Sequence, residues 1–357
     1  MLVLSNEEIA RLLTIEECMD ALEAMYRDLA GERALLSPRV DNMAPSSHPG
    51  GYYAFKHMGG TLPAQRVQAL RVNSDVITHP LVAGKPRRVK QPLAPGSKGG
   101  RWVGLVLLFS TETGALLAMF PDGVMQRMRV GAANGLALKA LGRTDVQVLA
   151  LIGSGWQAGA QLAAALAVRP FREVRVYSPR RETREAFVDE SRKLYRTKIV
   201  AVDSADACVE GADVIAAATS SMVRVIEPRW LRPGMHVSCI KTQEVDAEVL
   251  ERCDRVVLHN RRQAKQINNV MKDTPNAGEE GGQGWWKEAI GRYPDLGDVL
   301  TGRAQARQGA KEITCFANNV GMGLQFAAAG ALLLRKACDQ GIGTELPDDW
   351  FSEDVHP

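Results

Sequence analysis

Apolar and polar positions fall into three successive patterns along this chain. The first is helical and opens with two capping boxes, Ser5 with Glu8 and Thr14 with Glu17. Each places a hydroxyl and a carboxylate to satisfy the free N–H groups of a helix start. The second of these helices is expected to run to Gly31. From Pro38 to Ile77 the sequence reads as turns and short strands. The Pro-, Gly-, Lys- and Arg-rich segment from His79 to Arg101 has little to bury and reads as a surface loop. Its basic residues suit contact with a phosphate, but a solvated excursion is the expected state of such a run. Two apolar runs then follow, Val103 to Phe109 and Ala115 to Phe120, joined by a stretch of hairpin-loop composition from Ser110 to Gly114. Pro121-Asp122-Gly123 turns the chain into a helix from Val124 to Leu141, stopped by Gly142.

Beyond Gly142 short apolar runs alternate with helical stretches, the pattern of a parallel α/β sheet. The runs are Val148–Ile152, Glu173–Ser178, Ala212–Thr219, Met235–Cys239 and Arg255–Leu258. The first leads straight into Gly153-Ser154-Gly155-Trp156-Gln157-Ala158 and a helix, the layout of a dinucleotide cradle. Gly153 allows the tight turn, Gly155 lets the backbone approach a pyrophosphate, and Ala158 permits close packing of helix on strand. Thr219, closing a later strand, is grouped with these cofactor-binding residues. At the end of the second strand, where an acid would bind the ribose of NAD, stand Ser178, Arg180 and Arg181. A hydroxyl and two guanidinium groups favour NADP(H) over NAD(H); the plain alternative is a basic, solvated loop. Asn260 to Tyr293, with Trp285-Trp286, suits a lid, an oligomer contact or an anchored loop, and Asn319 to Cys338 reads as a buried helix. The final residues read as disordered.

At 357 residues, with 45% hydrophobic and 24% charged content, two globular domains are expected. A net charge of +3 argues for neither nucleic acid nor membrane and suits an anionic cofactor or a carboxylate substrate equally. Cys18, Cys208, Cys239, Cys253, Cys315 and Cys338 form no CxxC pair and read as reduced core residues. The start of the sequence carries no basic, apolar leader pattern, so a cytoplasmic location is expected. The six histidines make no ligand motif, so no catalytic metal is expected.

Four segments together resemble the ornithine cyclodeaminase and μ-crystallin family: Met125-Gln126-Arg127-Met128-Arg129-Val130-Gly131-Ala132-Ala133, the cradle Ile152 to Ala158, Glu244-Val245-Asp246, and Gly321-Met322-Gly323-Leu324-Gln325. The resemblance implies a Rossmann-type dinucleotide-binding domain, 129–319, inserted in a second α+β substrate-binding and dimerisation domain, 1–128 plus 320–357. It implies a homodimer with its active site in the cleft. It also implies hydride transfer between nicotinamide and the α-carbon of a small carboxylate-bearing amino or imino acid. Arg129 sits at the family's carboxylate-binding arginine, where the chemistry wants a bidentate fork. Arg39 falls at another substrate-binding arginine. Arg71 matches a position that is usually lysine, and being always protonated it clamps a carboxylate but shuttles protons poorly. Lys56 falls where cyclodeaminases have a glutamate or, in a rival alignment, at the lysine position itself. Lys56, His57 and Lys241 are the candidate proton donors.

Two departures from the family pattern bear on the reaction. True cyclodeaminases carry an aspartate after the strand matching Val237, where this chain reads Ser238-Cys239-Ile240-Lys241. Phe326 replaces a usual aspartate in the last helix. The resulting expectation is an NAD(P)H-dependent oxidoreductase acting on the C=N or CH–NH bond of an α-imino or α-amino acid, with Lys56, Arg71 and Arg129 catalytic. One alternative is a cyclodeaminating ammonia-lyase that recycles NAD. Another is a non-catalytic NADPH-dependent ligand-binding protein.

Overall fold

The computed structural model describes residues 1–93, 102–262, 266–271 and 285–354, with backbone alone at 285–288. The side chains of the Trp285-Trp286 pair, the far end of the His79–Arg101 segment and the last three residues lie outside the described residues. β1 (Leu2–Val3) leads into α1 (Asn6–Leu12) and α2 (Ile15–Ala30). Both helices start at the capping boxes read from the sequence, with each hydroxyl and carboxylate in place, and α2 ends at Gly31. Then come β2 (Leu35–Leu36), β3 (Val40–Pro45), β4 (Gly51–Leu62) and β5 (Val67–Thr78). The last two are twelve-residue strands paired along their whole length, where turns and short strands had been expected. The cause is their inward face, which carries Lys56, Arg71, Asn73 and Asp75 among Tyr52, Ala54 and Met58. Charges at buried positions break the apolar alternation by which a long strand is recognised.

β6 (Leu81–Val82), β7 (Lys85–Pro86) and β8 (Val89–Lys90) follow. They are not a free surface loop: β6 and β7 form a hairpin, and β8 pairs with β5. β9 (Val103–Ser110) and β10 (Leu116–Pro121) make the expected antiparallel pair, and α3 (Asp122–Leu141) follows at once, its start capped by Asn6, whose Oδ1 accepts from Val124 N at 3.1 Å. The alternating region supplies β11 (Val148–Ile152), α4 (Trp156–Val168), β12 (Glu173–Tyr177), α5 (Arg181–Leu194), β13 (Lys198–Ala201), α6 (Ala205–Val209) and β14 (Val214–Ala217). It continues through β15 (His236–Cys239), α7 (Ala247–Glu251), β16 (Arg255–Leu258), β17 (Gln266–Asn269), α8 (Trp285–Arg292), α9 (Leu296–Leu300) and β18 (Thr314–Ala317). α10 (Gly323–Gln340) and β19 (Thr344–Glu345) close the described chain.

Two sheets organise these elements. The smaller is wholly parallel, in the order β13-β12-β11-β14-β15-β18-β16. Its order reverses direction between β11 and β14, the topological switch of a Rossmann-type fold, where ligands bind beyond the carboxyl ends of the strands. The larger sheet runs β17-β3-β4-β5-β9-β10-β1-β19 and is mostly antiparallel. One core packs α2, α3 and α10 against it through Leu22, Met25, Met58, Leu108, Phe120, Leu324 and Phe326. α3 also packs on α4, so it joins the two sheets. Cys18, Cys208, Cys239 and Cys315 are buried and all six cysteines are free, but Cys338 is exposed on the last helix and is no core residue. Among the described residues, no helix is long and apolar enough to cross a membrane.

Candidate active site

The cradle forms as its residues require. Gly153 has φ +123°, a conformation open to glycine, and a Cβ there would run into the Ala218 carbonyl. At Gly155 a Cβ would meet nothing within 4 Å, so the space above the start of α4 is open. No side chain caps that helix, leaving its first N–H groups and the positive end of its dipole facing the opening. Gln157 carries a buried Oε1 without a partner, and the exposed Trp156 lies under the Arg127 guanidinium at 4.4 Å from the ring centroid. Ser154 and Ser178 join hydroxyl to hydroxyl at 2.8 Å, linking the glycine turn to the end of β12. These features fit a dinucleotide.

At the rim, the two basic residues singled out from the sequence differ. Arg180 is exposed, with no acidic partner among the described residues, whereas Arg181 is held by Glu185 at 2.7 Å. A third arginine, Arg184, is buried, bonds the Ser178 carbonyl at 3.1 Å and pairs with Asp203. Thr219 is committed to the protein: its N–H and hydroxyl both donate to Glu244, at 2.6 and 2.8 Å. Glu244 also accepts from Ile240 N at 2.8 Å, so this fully buried carboxylate ties together the loops leaving β14 and β15. Burial raises its pKa, opposed first by Lys241.

The predicted substrate residues converge on the inward face of the larger sheet. Register places Asp41, Lys56 and Asn73 side by side across β3, β4 and β5, followed by Gly104 of β9. A Cβ at Gly104 would collide with the Asp122 carboxylate, so the missing side chain lets Asp122 into the row. Asp122 accepts from Arg71 Nε at 2.8 Å and Nη2 at 2.6 Å, and from Asn73 at 2.9 Å. Its place in the first turn of α3 favours its negative charge. Arg39 forms a two-pronged pair with the fully buried Asp41, at 2.8 and 2.9 Å. Farther along the same face Lys90 reaches Asp75 at 2.9 Å.

Arg129 enters from α3 and donates from Nη1 to Gln325 Oε1 at 3.0 Å, while its buried Nε has no partner. Burial first, then repulsion from Arg71, pushes its guanidinium down to about 9. Arg71 is lowered too, by burial, with Asp122 opposing. The Phe326 ring lies beneath both, 5.5 Å from Arg71 and 5.3 Å from Arg129. The aromatic replacement for the expected aspartate therefore supports the arginines by cation–π contact. Arg39, Lys56, Arg71, Lys90 and Arg129 face three carboxylates, Asp41, Asp75 and Asp122, which leaves a surplus of two positive charges in a water-poor place. Gly321, past the end of β18, lies against Arg129, so this cluster stands at the carboxyl edge of the parallel sheet.

His57 alternates onto the other side of β4 from Lys56 and stacks obliquely on Phe55, which takes it out of the cluster. Lys241 lies beside Glu244, in the cofactor cleft. The sequence assigns no role to Asp41, Asn73, Asp122, Glu244 or Gln325, although the last two fall in segments that carry the family resemblance. In Pro-Asp-Gly, Asp122 reads as a turn residue; the signal for Asp41 is its spacing of two from Arg39, which puts both on one strand face.

Comparison with known proteins agrees with this layout. The profile of the ornithine cyclodeaminase/mu-crystallin family matches residues 1–339. The chain belongs to that family. It is 28% identical to the alanine dehydrogenase of Archaeoglobus fulgidus, over 97% of this chain and 98% of that one. It is 26% identical to the iminosuccinate reductase of Paracoccus denitrificans, over 97% and 99% of the respective chains. Among solved structures, the Delta(1)-pyrroline-2-carboxylate reductase of Thermococcus litoralis, in complex with NADH and L-proline, superposes with a TM-score of 0.78 at 25% identity, covering 97% of this chain and 100% of that one.

Proposed function

We propose that this family member is an NAD(P)H-dependent oxidoreductase that reduces the C=N bond of a small α-imino acid, or runs the reverse oxidation of the α-amino acid. The observation that carries the reading is the surplus positive charge of Arg39, Arg71 and Arg129 at the carboxyl edge of a sheet whose first turn is a dinucleotide cradle. A substrate carboxylate supplies the missing negative charge, and the free Nε of Arg129 gives it a donor. Relatives named as alanine dehydrogenase and iminosuccinate reductase, and a neighbour holding NADH and L-proline, support the same class.

When bound, the nicotinamide supplies or takes up the hydride at the substrate α-carbon. The chain's own residues do the rest. Arg129 and Arg71, held by Gln325 and Asp122 over the Phe326 ring, fix the carboxylate and thereby the plane of the imine. Lys56, between Asp41 and Asn73, is assigned the proton at the substrate nitrogen, because an ammonium can release one where a guanidinium does not. Burial of the row keeps water from the reacting carbon.

Arg180 at the rim, with Ser178 where an acid would stand, favours NADP(H). Residues 129–319 are taken as the cofactor domain, and 1–128 with 320–357 as the substrate-binding and dimerisation domain of a cytoplasmic homodimer. Strand membership of the two sheets follows that division except at β17 (Gln266–Asn269), which lies within 129–319 but pairs with β3 of the larger sheet. Cyclodeamination is disfavoured: from the end of β15 the chain reads Ser238-Cys239-Ile240-Lys241 where an aspartate is wanted, and both oxygens of Glu244 are occupied. The deciding assay follows absorbance at 340 nm with NADPH or NADH, offering α-keto acids plus ammonia or methylamine and preformed cyclic imines. Cofactor oxidation supports the reading. Ammonia and proline from ornithine without net cofactor change would replace it with cyclodeamination.

A further inference from the structure

The hairpin β6–β7 carries Lys85-Pro86-Arg87-Arg88 away from the larger sheet and onto the smaller one. Two backbone hydrogen bonds fix it there, Met222 N donating to the Pro86 carbonyl at 3.0 Å and Arg88 N to the Ser220 carbonyl at 3.0 Å, and together they make an antiparallel bridge between Arg87 and Ser221. Ser220 to Met222 belong to the loop leaving β14, on the carboxyl edge of the parallel sheet. Docking leaves Arg87 only 9% exposed, yet its guanidinium donates no hydrogen bond to any described residue. A largely covered side chain whose charged end has no partner among the described residues offers a seat for an anion.

Its surroundings indicate which one. Its ionisable neighbours are Tyr177, the last residue of β12, and Glu244, beside the ends of β14 and β15. The strand order β12-β11-β14-β15 puts the glycine turn after β11 between these two markers. Glu244 already accepts from Thr219 and Ile240, and neither it nor Tyr177 accepts a hydrogen bond from the guanidinium. On its other side the same segment is anchored by Lys90 to Asp75, on the strand face that also carries Arg71 and Asn73.

We propose that Arg87 binds the pyrophosphate of the dinucleotide, opposite the N-terminus of α4. The anion is then gripped by backbone N–H groups of one sheet's helix and by a guanidinium carried from the other sheet. Cofactor binding thereby fastens the strand that positions Arg71 to the cradle. The assignment rests on the cofactor reading of this cleft.

The test is calorimetric titration of the full chain and of Arg87→Gln, Arg87→Lys and Lys85→Ala with NADH, NADPH and ADP. Arg87→Gln is expected to weaken all three by a similar factor, about tenfold, with the melting temperature unchanged. Arg87→Lys recovers part of the loss, and Lys85→Ala, an exposed charge on the same hairpin, changes nothing. Weakening of NADPH alone would move Arg87 to the 2′-phosphate and overturn the proposal. So would equal affinities in wild type and Arg87→Gln, or a loss in Arg87→Gln matched by Lys85→Ala. Failure of the wild-type chain to bind any dinucleotide would instead refute the cofactor reading itself.

Discussion

Replacing Arg129 by methionine separates stability from the proposed function, in which the charge that is costly to the fold holds the substrate carboxylate. The fall of its guanidinium to about 9 corresponds to roughly 5 kcal/mol of unfavourable charge burial in the free protein. Methionine keeps the apolar stem and removes that charge. The one hydrogen bond lost is to Gln325 Oε1, which still accepts from Met322 N at 3.4 Å. The Gln325 amide also keeps its bond to the Arg129 backbone carbonyl. Exchanging a buried, under-compensated charge for an apolar side chain is commonly neutral or stabilising. The variant should therefore melt no lower than wild type, while a substrate carboxylate loses its partner at a cost of about 2–5 kcal/mol. That cost lowers kcat/KM by ~30- to ~5000-fold. Cofactor oxidation at 340 nm across a substrate series, beside a thermal melt, reads both quantities. Near-normal kcat/KM would refute the clamp, and a melting temperature several degrees lower would refute the claim that the charge burdens the fold.

Other expectations follow from the same geometry. Arg180→Glu should weaken NADPH relative to NADH by about tenfold, whereas Arg181→Glu, whose partner is already Glu185, should shift that preference by less than about threefold; equal effects would contradict the different environments of the two arginines. Phe326→Leu removes two cation–π contacts at about 0.5–1 kcal/mol each, so KM should rise about 5- to 30-fold with kcat less affected. An unchanged KM would show that the ring does not hold the arginines. Burial pushes His236 and His259 down to about 3, so between that value and 6.5 the unfolded chain binds more protons and stability falls as pH drops through this window. Each histidine contributes about 1.4 kcal/mol per pH unit, opposed by Glu244 and Asp295, whose pKa values burial raises. His236→Gln should remove one such increment from the slope between pH 6 and pH 4 in urea unfolding; a slope equal to wild type would exclude a neutral buried His236.

Local signals carried the nucleotide half of this protein. Gly153, Gly155 and Ala158 announce the cradle because a turn, a close approach and a tight helix contact each select a residue type within seven positions. The capping boxes at Ser5 and Thr14 set helix starts for the same reason. Family resemblance placed Arg39, Arg71 and Arg129, but it did not show what holds them. Asp122 meets Arg71 across 51 positions and Gln325 meets Arg129 across 196, and no local pattern encodes such distances. The long β4–β5 pair was hidden because its buried face is the polar one: the residues that make the site erase the alternation that marks a strand. Arg87 was hidden in the same way, as one cation in a basic run. Only the docking of its hairpin on the loop after β14 covers most of its side chain and so separates it from its more exposed neighbours. The sequence by itself determined where the backbone turns and which chemistry is at hand. The tertiary structure decided which charges are buried together, because burial and pairing depend on groups distant along the chain.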